Sequence, residues 1–129
     1  MTTDIHQGGC LCGGVRFEVQ GPLKNPHTCS CELCQRHSGA LTLAWVEVPR
    51  ERLNWTGPAG APATYRSSDY SSRAFCPQCG SSIGAIDDAP TIALLVGCFD
   101  HKDSPALMPT HDAFEDGRPA WWHAGAARD

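Results

Sequence analysis

Seven of the eight cysteines in this 129-residue chain fall in three short clusters. They read Cys10-Leu11-Cys12, then Cys29-Ser30-Cys31-Glu32-Leu33-Cys34, then Cys76-Pro77-Gln78-Cys79. Cysteines two or three residues apart rarely form unstrained disulfides with each other, because the short loop opposes the required Cβ–S–S–Cβ torsion. The same spacing lets thiolates converge on one ion at a Zn–S distance of about 2.3 Å. The competing pattern is a disulfide framework in a secreted domain. The segment from Met1 to Gly9 has no basic region followed by an apolar stretch, so no signal peptide is visible and a reducing cytoplasmic setting is expected. A redox C-x-x-C would open a helix, whereas Cys76-Pro77-Gln78-Cys79 runs into Gly80-Ser81-Ser82, which breaks one. The expectation is zinc.

Spacing also divides the cysteines. Four thiolates complete a closed tetrahedral structural site, and three leave a position for water or substrate. Cys29, Cys31 and Cys34 are close enough for one loop and the first turn of a helix to wrap a single ion. Cys10 with Cys12, and Cys76 with Cys79, are two-ligand clips from distant segments that together make a closed set, with Gly80 free to take positive φ. Cys98 is left over in an apolar run. It is read as a buried free thiol, with completion of the second site as the alternative.

The remaining sequence reads as mainly β. Val15, Phe17 and Val19 alternate with polar residues, and Leu41–Val48 forms a second strand that Pro49 ends. Pro49–Leu53 suits a single helical turn, Glu32–His37 a short helix, and Gly57–Pro62 a loop. Tyr65-Arg66 and Arg73–Phe75 flank a hairpin, and Ser81–Ile86 and Thr91–Phe99 add two strands. One domain over 1–129 is expected, with its core roughly 6–123 and a frayed end from Ala124 to Asp129. The net charge is −4, with mixed signs along the chain, which argues against a nucleic-acid partner. No apolar run approaches the roughly 18 residues of a membrane helix, so no membrane partner is expected either.

The ordered motifs are more specific than any one of them. C-x-C-G-x-V-x-F from Cys10 to Phe17, C-x-C-x-x-C followed by Ser38-Gly39, the Trp45-Val46 strand, and Arg73-x-Phe75-Cys76-x-x-Cys79-Gly80 occur in sequence. Gly97–Asp100, Pro109-Thr110-His111, Trp121 and Trp122 follow them. In this the chain closely resembles the glutathione-dependent formaldehyde-activating (GFA) family. The resemblance implies a small β-tent-type fold of short antiparallel strands with two zinc ions per chain. It assigns Cys10, Cys12, Cys76 and Cys79 to a structural zinc, and Cys29, Cys31 and Cys34 to an open catalytic zinc. The chain departs from the family pattern at Ser30, where histidine is frequent, and at Cys98, where serine or threonine is usual.

The chemistry of such a site is narrow. Zinc with three thiolates carries a net charge of −1 and is a weak activator of water, but its soft surroundings suit a thiol as fourth ligand. Addition of a bound thiolate to an aldehyde gives a thiohemiacetal, and the reverse step is carbon–sulfur lysis. The resemblance implies S-hydroxymethylglutathione formation from glutathione and formaldehyde, a carbon–sulfur lyase reaction. Glutathione's carboxylates call for a cation, with Arg36 beside the triplet as first candidate and Arg66 and Arg73 next. His37 and His111 are the histidines expected to approach the second site, and Trp45, Trp55, Trp121 and Trp122 read as packing residues. The alternative is a non-enzymatic zinc module whose triplet is closed by Cys98 or a histidine and which binds a protein. A nucleic-acid-binding zinc domain is a third, weaker reading.

Overall fold

The structure is a computed structural model and describes residues 4–122. Strands β1 (Ile5–Gly9), β2 (Arg16–Gln20) and β5 (Leu53–Trp55) form a small sheet in the order β1-β2-β5. Strands β3 (Lys24–Cys29), β4 (Leu43–Pro49), β6 (Ala63–Arg66), β7 (Ser71–Phe75), β8 (Ser82–Asp87), β9 (Thr91–Leu95) and β10 (His111–Ala113) form a larger one, in the order β10-β3-β4-β9-β8-β7-β6. Its pairs are antiparallel except for β10 beside β3. The single α-helix among the described residues, α1 (Glu32–Ser38), follows β3 and ends at Gly39, whose φ of 81° only glycine adopts cheaply. The mainly β expectation holds.

The core lies between the two sheets. The alternation read around Val15 places Val15, Phe17 and Val19 inward, joined by Leu53, against Val46, Val48, Ile92 and Leu94 of the large sheet. Phe17 is fully buried and meets Phe99 edge to face at 5.2 Å between ring centroids. Burying such a ring contributes about 2–3 kcal/mol. Because side chains alternate across a strand, Trp45 and Glu47 of β4 face away from this core, as do Ala85 of β8 and Leu95 of β9. That outer face carries α1 and the cysteine triplet.

Most expected elements appear with shifted ends: the Tyr65/Arg73 hairpin pairs as read, and the turn after Pro49 is a 3₁₀ turn over Arg50–Arg52. One strand is shorter than expected. Thr91–Phe99 is strand only to Leu95, and Val96–Cys98 turns in 3₁₀ geometry, so Cys98 lies beyond the strand. The segment Ala124–Asp129, read as frayed, lies outside the described residues. Among the described residues, no helix is long and apolar enough to cross a membrane.

Candidate metal centres

The first cluster joins the two sheets. Cys10 and Cys12 sit in the β1–β2 turn, which closes through Cys10 N–H to the Val15 carbonyl at 3.0 Å and turns at Gly13 with φ 81°. Cys76 and Cys79 occupy the β7–β8 turn, where Gly80 takes φ 80° and donates to the Cys76 carbonyl at 2.8 Å. The loops meet directly: Leu11 N–H donates to Ser81 Oγ at 3.0 Å. All four sulfurs lie within 4.8 Å of one another, with Cys10–Cys12 at 3.6 Å and Cys12–Cys76 at 3.7 Å. A tetrahedron with Zn–S bonds of about 2.3 Å has edges of about 3.8 Å, so the set fits one zinc. These separations are far from a disulfide bond, and all eight cysteines are free thiols.

Electrostatics supports the same fit. Although the Gly14 N–H favours its thiolate, Cys12 is held up at about 11, mainly by the Cys10 sulfur beside it. The Ser81 hydroxyl and N–H bring Cys79 down to about 5. Clustered sulfurs cannot all ionise beside one another without a cation, which is what a zinc ion supplies.

The second cluster is local. Cys29 ends β3, Cys31 caps the N-terminus of α1 and accepts from Cys34 N–H at 3.4 Å, and Cys34 lies in the helix's first turn. Their sulfurs also lie within 4.8 Å of one another, and among the described residues no further Cys, His, Asp or Glu joins the set. Burial pushes Cys29 up to about 12. Burial also raises Cys34, opposed by the Arg73 guanidinium, whose Nη1 donates to Cys34 Sγ at 3.6 Å. That guanidinium lies 5.4 Å above the Trp45 ring. The three cysteines open onto a cavity of about 440 Å³ walled by Trp45, Arg73 and Phe114.

A strap at the C-terminal end holds the triplet loop from behind. Ser30 is fully buried, its N–H donates to the Ala113 carbonyl at 3.0 Å, and its hydroxyl accepts from Arg118 Nε at 3.1 Å. Gln35 Nε2 donates to the Gly117 carbonyl at 3.0 Å. Phe114 bears a left-handed backbone at φ 57°, which is rare for a bulky residue and places its ring at the cavity mouth. The Ser30 departure from the family pattern is thus a buried anchor for this strap.

The structure separates several residues that the sequence places together. Arg36 points outward, pairs with Glu32 at 2.8 Å and does not line the cavity. It is two residues beyond Cys34, and residues so spaced face different sides of a helix. Arg66 pairs with Asp88, leaving Arg73 as the arginine at the thiols. Neither His37 nor His111 joins the triplet. The His37 ring is half-buried with both nitrogens unpartnered, and His111 stacks on His27, which itself lines the cavity. Cys98 is in neither cluster; its Sγ donates to the Ser82 carbonyl at 3.2 Å and burial pushes it up to about 11. Trp45 and Trp55 pack as expected, while Trp121 is exposed. Arg73 is one of the three arginines that the sequence offers for a carboxylate, whereas no sequence motif marks His27, Phe114 or the strap as parts of the second site.

Two comparisons bear on this geometry. A crystal structure of a Rhodobacter sphaeroides protein, a structural-genomics target, superimposes with a TM-score of 0.62 at 21% identity, covering 83% of this chain and 99% of the other. It shares the fold. The family described as glutathione-dependent formaldehyde-activating enzyme matches residues 5–116. The chain belongs to that family. The match takes in both cysteine clusters, the helix α1 that carries Cys34 and the strap as far as the Glu115–Gly117 turn.

Proposed function

We propose that this GFA-family chain is a zinc-dependent carbon–sulfur lyase that forms or cleaves the adduct of a small thiol with a small aldehyde. The pair the family's name implies is glutathione and formaldehyde. In this reading Cys10, Cys12, Cys76 and Cys79 hold a structural zinc and Cys29, Cys31 and Cys34 a second, open one. The observation that carries it is a three-sulfur set, with no fourth ligand among the described residues, opening onto a cavity. Zinc bound there would hold a thiol in its thiolate form near neutral pH.

The chain's own residues do the rest. Cys29, Cys31 and Cys34 anchor the centre on rigid elements, a strand end and a helix start, which fixes where a bound sulfur sits. Arg73 offsets thiolate charge at Cys34, and Trp45 beneath it excludes water from that side. Formation joins the thiol sulfur to the carbonyl carbon, and the proton lost from sulfur ends on the former carbonyl oxygen. The uncatalysed addition is already easy, so positioning is the main contribution required.

Exchange NMR at matched thiol concentration measures formation and breakdown of S-hydroxymethylglutathione with and without the zinc-loaded protein. The expected result is acceleration that Cys31→Ser abolishes. No acceleration, with no thiol-dependent change at the second metal, would turn the assignment to a non-enzymatic zinc module. Acceleration that survives Cys31→Ser would place the chemistry elsewhere.

A further inference from the structure

Phe114 combines two properties that the fold does not need. Its backbone is left-handed, with φ 57° and ψ 43°, a conformation in which a side chain crowds the following carbonyl. Its ring offsets little of that strain by burial, because the residue stays 64% exposed. Glycine or asparagine would adopt the same backbone more readily. The strap on either side is fixed against the triplet loop. Before Phe114, Ala113 pairs in register with Cys29, and its carbonyl accepts from Ser30 N–H at 3.0 Å. After it, Gly117 N–H donates to the Phe114 carbonyl at 3.0 Å, and the Gly117 carbonyl accepts from Gln35 Nε2 at 3.0 Å. Gly117 also lies so near Ser30 that a Cβ there would collide with the Ser30 carbonyl. These anchors hold the turn at Phe114, and its ring lines the cavity onto which the three cysteines open. Strain over-determined by its surroundings in this way gathers at ligand clamps.

The rest of the rim points to a ligand independently. Leu33 of α1 and Tyr70 of the β6–β7 turn line the same cavity and are 43% and 64% exposed, above a buried Trp45. Single exposed apolar side chains are ordinary on any surface. Three from separate segments around one opening, beside three thiols, form the lining of a ligand site. The cavity, about 440 Å³, is far larger than a sulfur and a small aldehyde require, and it falls in the range that encloses a whole small ligand.

We propose that Phe114 is a substrate-contacting residue whose ring covers the arm of a thiol held by its sulfur at the triplet, packing on the methylenes and planar amides of that arm. Glutathione offers both. The cover fixes the arm in one orientation, and positioning is what an intrinsically easy addition asks of the protein. This rests on the reading of the triplet as a thiol-binding centre, and it adds the residue that favours a thiol with an arm over a bare one.

The test is calorimetric titration of the zinc-loaded full chain with glutathione and with 2-mercaptoethanol, whose sulfur carries no amide arm to reach the rim. Phe114→Asn tolerates the left-handed backbone and removes the ring, whereas Phe114→Tyr keeps the ring. In Phe114→Asn, glutathione affinity should fall about tenfold, the scale of one aromatic contact, with 2-mercaptoethanol within about twofold of the parent and Tm no lower. Phe114→Tyr should match the parent for both thiols. Glutathione affinity that stays within about twofold in Phe114→Asn overturns the proposal, as does an equal loss for both thiols or a Phe114→Tyr protein as weak as Phe114→Asn. A Tm lowered by more than about 5 °C in Phe114→Asn overturns it too, by making the ring a packing element of the fold. In each of these cases the thiol-binding reading stands. Failure of both thiols to bind the parent protein overturns both.

Discussion

Cys76→Ser and Cys31→Ser each remove one sulfur, and the structure predicts very different costs. Cys76 belongs to a cluster whose members come from opposite sheets, with Cys12 and Cys76 64 residues apart. An unfolded chain cannot gather ligands so far apart, so a zinc held there, as proposed, would add almost wholly to the folded state, at about 10 kcal/mol or more. That is as large as the entire net stability of an ordinary domain, about 5–15 kcal/mol. Losing even half of it, about 5 kcal/mol, lowers Tm by about 20 °C at this size. Cys31→Ser is milder for two reasons. Serine is a preferred helix N-cap, so the bond that Cys31 Sγ accepts from Cys34 N–H is replaced by an oxygen counterpart. The three sulfurs of the second cluster are also neighbours in sequence, so the unfolded segment binds metal as well and the differential stabilisation is small. The expected Tm change is within about 5 °C, with one metal lost. Circular-dichroism melting paired with elemental zinc analysis reads both. Equal collapse of the two variants, or a Cys76→Ser protein that melts within about 5 °C of the parent, would refute the structural/open division.

Three further outcomes follow from the geometry. Acidification should release the second zinc first, because three thiolates facing a cavity hold an ion less firmly than four that join two sheets, so a chromophoric chelator followed from about pH 8 to about pH 4 should record two steps, not one. Arg73→Met removes the group that opposes the burial-driven rise at Cys34, so second-site zinc affinity should fall about tenfold in competition titration, whereas Arg36→Ala loses only an exposed helix pair and should leave thiol affinity within about twofold. Gly117→Ala would set a Cβ 2.3 Å from the Ser30 carbonyl, so the strap must shift; a loss of about 1–3 kcal/mol in urea unfolding is expected, and no loss would mean that the strap does not pin the triplet loop.

How much of this was legible in the sequence depended on the length scale of the signal. The cysteine clusters were readable because ligand spacing is a local property, and both come together as sulfur groups of the expected membership. The strand with clean alternation, Arg16–Gln20, was readable too, as was the Tyr65/Arg73 hairpin from the polar turn between its strands. β3 was not, because Lys24-Asn25-Pro26-His27 carries a proline where a ladder donor is wanted. The chain accommodates it with a register shift between Lys24 and His27 and a left-handed Asn25 at φ 49°, a local irregularity that frees the ladder of that donor. β1 and β10 bear little hydrophobic pattern and exist through their partners. Choosing among arginines failed for another reason. Nearness in sequence favoured Arg36, whereas the residue that reaches Cys34 arrives from β7, 39 positions away.

The same alternation that builds the core also builds the second site, which explains why the two are hard to separate. Along β4, Val46 and Val48 enter the inter-sheet core while Trp45 and Glu47 face the cavity. Along β7, Ala74 packs inward and Arg73 faces Cys34. A one-residue slip in register would exchange these roles on every strand at once, so the buried valines that stabilise the fold also fix which side chains reach the thiols. Ala85 and Ala93 then set the depth of the floor, since any larger side chain at either position would fill the space between Glu47 and Arg73. Cavity shape is therefore open to change through two small residues without disturbing the metal ligands. Its charge is set separately, by Glu47, Asp87 and Arg73. If the triplet binds a thiol as proposed, one sulfur scaffold would in this way serve different thiols, through substitutions that leave every cysteine in place.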